Sequence, residues 1–224
     1  MDKVAVLTAI LGNFDTPVDP VVQDGISDVE TTFHRFTDED FPPITGLTPR
    51  FQYRIPKYFG WQMFPGHDTY IWLDGSVSLV RHDSLKWLLD QLGDADMAVF
   101  KHPYRQTIQE ETDHLETYLN RSQGTSRGQD YLTARYKNGL HKEQLEDIKL
   151  DTGYTDDHLY ASTSFIYRDS EAVRDALRLC FLHQARYYTC DQLAFTYALK
   201  GLQINIIDAN PFKGEYVREV SKHK

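Results

Sequence analysis

Asp74, Gly75 and Ser76, in the stretch "DTYIWLDGSVSL" (68–79), set a carboxylate and a hydroxyl two positions apart. In an extended chain that spacing puts both side chains on one side. An oxygen-only pair of this kind is a partial shell for a hard cation, Mg2+ or Mn2+, which keeps several waters and takes substrate oxygens as further ligands. Gly75 lets a ligand come close to the backbone. The same tripeptide is also ordinary turn chemistry, with Asp74 accepting backbone N–H bonds at a strand exit. Upstream, Arg50, Arg54 and Lys57 place three cations in eight residues. They suit either an anionic ligand or a solvated basic face. "KHPYRQTIQEE" (101–111) gathers Lys101, His102, Arg105, Glu110 and Glu111 where a strand gives way to a helix. Acids at that point favour the helix dipole whatever else they do. Asp191 and Gln192 open a later helix, Asp191 either as a cap or first-turn acid or as a chemical group. The histidines form no HxxxH pair on a helix, so a histidine metal site has no basis in the spacing.

These groups need elements to hold them. "VAVLTAIL" (Val4–Leu11) reads as a strand buried on both faces, closed by Gly12-Asn13. "TTFHRFTD" (Thr31–Asp38) alternates as a second strand, and the proline-rich Asp40–Arg50 reads as a connection. "TYIWLD" is a third strand. Leu85, Leu88, Leu89 and Leu92 then repeat at helical spacing up to Gly93. A strand over Asp96–Pro103 and a helix through Ile108, Leu115 and Leu119 follow. Arg121–Asp130, "RSQGTSRGQD", reads as a mobile loop. Tyr131–His158 reads as partly helical and solvated. "LYASTSFIYRD" is a strand, and a helix with Val173, Ala176, Leu177, Cys180 and Phe181 on one stripe follows, capped by Ser170 or Asp169. A shorter helix and the strand "INIID" complete the pattern. The alternation predicts an α/β fold with a mostly parallel central sheet flanked by helices. Ligands of such sheets bind beyond the carboxyl ends of the strands, which places "TAILGNFD", "WLDGS" and "FKHPYR" around one crevice.

Composition narrows the function classes. A chain of 224 residues, 41% hydrophobic, holds enough apolar material for one large domain, taken as 1–224. The net charge of −9 argues against nucleic acid as a partner, while leaving room for a local basic pocket. Cys180 and Cys190 give neither a disulfide framework nor metal-knuckle spacing, which fits a reducing compartment. The first apolar run is too short to span a bilayer and poorly flanked for a signal peptide. The expectation is a soluble, cytoplasmic protein with no transmembrane segment.

"RFQYRIPKYF", "FPGHDTYIWLDGSVSL", "AVFKHPYRQTIQEE" and "CDQLAFTYALKG" occur here in that order. In this ordered set the sequence resembles the GT-A-type glycosyltransferase-like proteins of the DUF616 (TOD1/MUCI70) group, which includes a viral glycosyltransferase domain of similar size. The resemblance runs from "VLTAILGNFD" to the "DQLAF" helix. It implies a GT-A-like (Rossmann-like) fold and a nucleoside-diphosphate sugar donor, with uracil as the expected base. It also implies a glycan or glycoconjugate acceptor and Mn2+ or Mg2+ as cofactor. Asp74 takes the place of the first acid of an Asp-x-Asp motif, and Ser76 stands where the second acid is expected. Thr8, Ala9 and Asn13 are then the contacts for base and ribose, and Arg50, Arg54 and Lys57 those for the diphosphate. His102 would meet the sugar or an acceptor oxygen, and Arg105 a phosphate or carboxylate. Asp191 would be the general base or a polar anchor facing sugar and acceptor, with Gln192 beside it.

Two other readings stay open. A nucleotide-sugar or glycan-binding domain with a decayed metal site would explain the missing second acid. A metal-dependent phosphoesterase or nucleotidyltransferase also uses carboxylates around a cation, though with more acids clustered and often a Gly-rich phosphate loop.

Overall fold

The strand β1 (Asp2–Ala9) carries apolar side chains on both faces, and Val4 to Leu7 are all buried. A strand covered on both sides belongs at the centre of a sheet, and β1 lies between β2 (Val29–Phe36) and β3 (Thr69–Asp74), parallel to each. The computed structural model describes residues 1–12, 15–41, 46–121 and 136–221. Its main sheet has six strands in the order β2-β1-β3-β6-β5-β7, with β5 (Met97–Lys101), β6 (Tyr160–Arg168) and β7 (Ile204–Ile207). Only β6 runs against its neighbours. This is the expected α/β fold with a mostly parallel, GT-A-like sheet.

Helices and a small second sheet cover the two faces. One face packs α2 (Arg54–Met63), α6 (Glu171–Tyr187) and α7 (Asp191–Ala198) against odd-numbered residues of β1, such as Leu7, and against Tyr70 and Trp72 of β3. The other face packs α3 (Ser84–Leu92) and the pair β4 (Val77–Leu79) and β8 (Val217–Glu219) against Val6, Ile71 and Leu73. A third cluster joins α4 (Ile108–Arg121) and α5 (His141–Lys149) to Cys190 and Leu193 at the start of α7. Among the described residues no helix is long and apolar enough to cross a membrane.

Boundaries moved where side chains compete with the ladder. β2 stops at Phe36, two residues early, because the Asp40 carboxylate accepts from Thr37 N at 2.8 Å and closes a turn. β1 stops at Ala9, and Gly12 turns away with φ +63°, a conformation suited to glycine. The expected connection ends sooner than predicted. Thr48 caps a short helix α1 (Pro49–Gln52), its hydroxyl accepting from Phe51 N, and Pro49 occupies the first helical position. α2 follows directly and kinks at Phe59. Near the C-terminal end of the described residues, Val217–Glu219 pairs antiparallel with β4. The expected loop at 121–130 falls, apart from the α4 residue Arg121, outside the described residues. The Ser170 cap is present, its hydroxyl accepting from Val173 N at 3.3 Å.

Register fixes the site. Ala9 at the end of β1 is paired with Asp74 at the end of β3, so both carboxyl ends open at one level. The turn after Asp74 is pressed against the end of β1. A Cβ on Gly75 would meet the Ala9 carbonyl oxygen and Ile10 Cγ1 at 2.8 Å each. The glycine therefore serves chain-to-chain packing, not only access for a ligand. Gly75→Ala is expected to destabilise the protein by roughly 1–3 kcal/mol in chemical denaturation, because backbone must move. Gly25→Ala, with open space around it, is expected to be neutral or slightly stabilising in the same measurement.

Candidate active site

A cleft of about 200 Å³ lies beyond the ends of β1 and β3. Of the residues picked out in the sequence, Ala9, Arg50, Asp74, Ser76, Asp191 and Gln192 line it. They come from four separate parts of the chain and meet because the sheet brings the strand ends together. Asn13 lies outside the described residues. Thr8 is buried one residue below the rim, so its side chain supports the strand.

Beneath the cleft sits a buried cluster of opposite charges. Arg54 and Lys57 have no exposed side-chain surface. Arg54 Nε donates to Asp191 Oδ1 at 2.9 Å, and an NH2 group of the same guanidinium lies 2.6 Å from that oxygen. Lys57 Nζ donates to Asp191 Oδ2 at 2.9 Å and to Asp74 Oδ1 at 3.1 Å. The Tyr53 hydroxyl donates to Asp191 Oδ2 at 2.8 Å, and Trp72 Nε1 to Asp74 Oδ1 at 2.8 Å. Two cations and two carboxylates thus share one network, which is how charges are kept in a protein interior.

The protonation preferences follow. Burial would raise the Asp191 carboxyl, but Arg54, then Lys57 and Arg50, outweigh it and hold it well below the ordinary carboxylate range. Burial dominates at Asp74 and raises it, against the pull of Lys57 and the Trp72 hydrogen bond. Burial opposes charge on Lys57, but Asp191 and Asp74 prevail and its ammonium is held more firmly than usual. A base must accept a proton, and Asp191 has both oxygens engaged and its proton affinity lowered. The general-base role therefore does not fit this environment, whereas the anchoring role does. The diphosphate role for Arg54 and Lys57 needs the same correction, since both are buried and turned to carboxylates. Arg50 is the member of that basic group that lines the cleft, its guanidinium 4.4 Å from the centroid of the Tyr136 ring.

A protein-family model for the TOD1/MUCI70 glycosyltransferase-like domain matches residues 47–224, the segment that supplies the whole charged cluster. The chain belongs to this family. A search of the curated proteins found no match. Membership makes the protein a glycosyltransferase-like domain, with a sugar donor and an acceptor as its partners in general terms.

Within this family member, the HPYR stretch is architecture. His102 is buried, and its Nδ1 accepts from the backbone N–H of Arg105 at 3.1 Å. Burial, helped by the Arg105 charge, pulls its pKa down to about 4, against the nearby Glu111. It is neutral and spent on its own turn. Arg105 is ion-paired with Glu111, and Cys190 Sγ lies 3.7 Å from Glu111 Oε1. The stretch therefore braces the residue before Asp191 from behind, and neither His102 nor Arg105 lines the cleft as described. Glu110 accepts from Gln106 N at 2.7 Å, the expected helix-start role.

The donors in the cleft are hard oxygens. The described hydrogen bonds to Asp74 both fall on Oδ1, and Ser76, Asp15 and Glu219 line the same cleft. This chemistry fits Mg2+ or Mn2+ better than a soft metal. Among the described residues, no group of three or more His, Cys, Asp or Glu is placed to hold a metal ion.

The sequence reading picked out the cations but not the helices that carry them. Arg50, Arg54 and Lys57 stand at i, i+4 and i+7, the spacing of one helical face, and that signal could have placed them together on α1 and α2. Tyr53, Glu219 and Asp15 were not singled out in the sequence, and Glu219 and Asp15 reach the cleft only through long-range packing.

Asp191→Asn is expected to lower stability by about 3–5 kcal/mol at neutral pH, since it leaves buried cations without their partner. The folded chain binds the Asp191 proton less tightly than the unfolded chain. Its contribution is therefore full above about pH 4 and declines as pH falls toward the depressed folded value. Urea denaturation of both proteins across the acid range should show the gap between them shrinking below that pH.

Proposed function

We propose that the protein transfers a sugar from a nucleoside-diphosphate sugar, with UDP as the nucleotide, to a hydroxyl of a glycan or glycoconjugate. The observation that carries this reading is Asp74. It stands at the carboxyl end of a central strand, on the rim of a cleft, with a buried ammonium on one oxygen. That is where a ligand of an open α/β sheet binds, and the family supplies the glycosyl-transfer chemistry.

In this reading Asp74 and Ser76 hold Mn2+ or Mg2+, with water and donor oxygens as further ligands. The bound cation would neutralise charge on the departing nucleoside diphosphate. Arg50 meets the diphosphate from the opposite wall, and Ala9, with no bulk beyond Cβ, leaves room for base and ribose. Asp191 anchors the floor of the site through Arg54 and Lys57 rather than taking a proton. Gln192, next in the chain, presents an amide to the donor.

A second reading, a nucleotide-sugar or glycan-binding domain with a weakened metal site, is favoured by one observation. Lys57 at 3.1 Å already offsets the Asp74 charge, which lowers the affinity of that carboxylate for a cation.

Incubation of the full chain with UDP-sugars and Mn2+ is expected to release UDP slowly, and faster with a suitable glycan acceptor. Asp74→Asn, which keeps an oxygen for Lys57 and Trp72, is expected to reduce that release by about 100-fold or more, and Asp74→Ala to do so with a lowered melting temperature, because it strips a carboxylate from buried Lys57. Binding without cleavage, indifferent to Mn2+, would establish the binding domain instead. Phosphate released from simple nucleotides would point to a phosphoesterase.

A further inference from the structure

The strand β6 carries three consecutive hydroxyl residues, Ser162, Thr163 and Ser164, in "YASTSFIYR". They fall where its pairing with β5 breaks. Val99 is opposite Phe165, and the next residue, Phe100, is opposite Ala161. The three hydroxyl residues are therefore looped out of that ladder, while Ser164 stays paired with Leu73, immediately before Asp74. Bulges re-aim side chains, and they concentrate beside active sites.

The hydroxyls lack the partners that buried hydroxyls normally have. Thr163 Oγ1 and Ser164 Oγ are buried and without a hydrogen-bond partner. Ser162 is 2% exposed and lines the cleft together with Thr163. No hydrogen bond from its side chain to another described residue is seen. An unmet buried hydroxyl costs stability that a folded protein otherwise avoids. Next to a cleft, the missing partner is supplied by what enters it. The charge distribution says what kind of ligand: Arg50 is on one wall, Asp74 at the rim and Asp191 on the floor, and this wall is neutral and donates or accepts equally well.

We infer that the bulge of β6 is the sugar-recognition wall of the cleft, with Ser162 and Thr163 hydrogen-bonding hydroxyl groups of the transferred sugar. The inference rests on the glycosyltransferase reading, and adds to it the residues that select among sugars. Ser164, one step deeper, supports the wall beside Asp74. Rotation of the Thr163 side chain about χ1 turns its Oγ1 toward an entering ring without moving the backbone.

The test compares binding of UDP, UDP-glucose, UDP-galactose and UDP-N-acetylglucosamine by calorimetry to wild type, Ser162→Ala, Thr163→Val and Thr163→Ser, with Mn2+ present throughout. The expected result is that Ser162→Ala and Thr163→Val each weaken the preferred UDP-sugar by about tenfold. Affinity for UDP alone should stay within about twofold, and Thr163→Ser should bind as wild type does. Melting temperatures should be unchanged or higher, because the substitutions delete unmet hydroxyls; a structural role would lower them. Equal loss for UDP and UDP-sugar, or no loss for either, overturns the inference while leaving the glycosyltransferase reading standing. Wild type that binds none of these probes overturns both. Should Thr163→Val fail to fold, Ser162→Ala decides by the same comparison.

Discussion

The contact between Lys57 and the two carboxylates of Asp74 and Asp191 is the constraint on which the site depends. An ammonium with no exposed surface is tolerated only if its charge is met at short range. Lys57 meets it at 3.1 Å from one acid and 2.9 Å from the other. Satisfying it requires α2 to lie across the ends of the strands, β3 to end at Asp74, and α7 to begin at Asp191. The order of the chain places these three elements far apart. One buried charge fixes their mutual position.

The rest of the network serves that contact. Arg54 takes the other oxygen of Asp191, Tyr53 closes it, and Trp72 holds Asp74 from within its own strand. From behind, Glu111 reaches Cys190 while pairing with Arg105. A cleft built this way has a rigid, nearly neutral floor, because the cations and acids beneath it cancel. Arg50, Asp15 and Glu219 add charged groups to the lining of the cleft. Such preorganisation costs nothing at the moment of reaction.

Neutralising the floor also changes what each acid can do. Asp191, gripped by two cations, is a strong anion and a weak base. Asp74 is less firmly ionised, since burial works against its charge, and it stands at the rim. The two carboxylates therefore differ in role through their surroundings alone, as pairs of titratable groups in one site commonly do.

Much of the frame was legible in the sequence. Period and apolar runs marked β1, β3, α3, β6 and α6 because those elements bury stripes or whole faces, which local pattern records. The strand-end carboxylate followed from "WLDGS", and the shared crevice from the direction of parallel strands. Offsets appeared where a side chain such as Asp40 captured backbone groups, and the short pair β4–β8 was missed because three residues leave no period to read. The residues that fill the cleft were legible by type but not by partner. Arg54 and Lys57 read as ligand-binding cations because a sequence shows charge and not the carboxylate that meets it. His102 read as a ligand contact because its obligation to its own turn is a matter of geometry. Glu219 and the looped hydroxyls of β6 carried no local signal. The sequence by itself determined the elements and the chemical types available, since both depend on neighbours in the chain. Only the tertiary structure decided which charges cancel and which face the cleft, since that depends on contacts between residues as distant as Lys57 and Asp191.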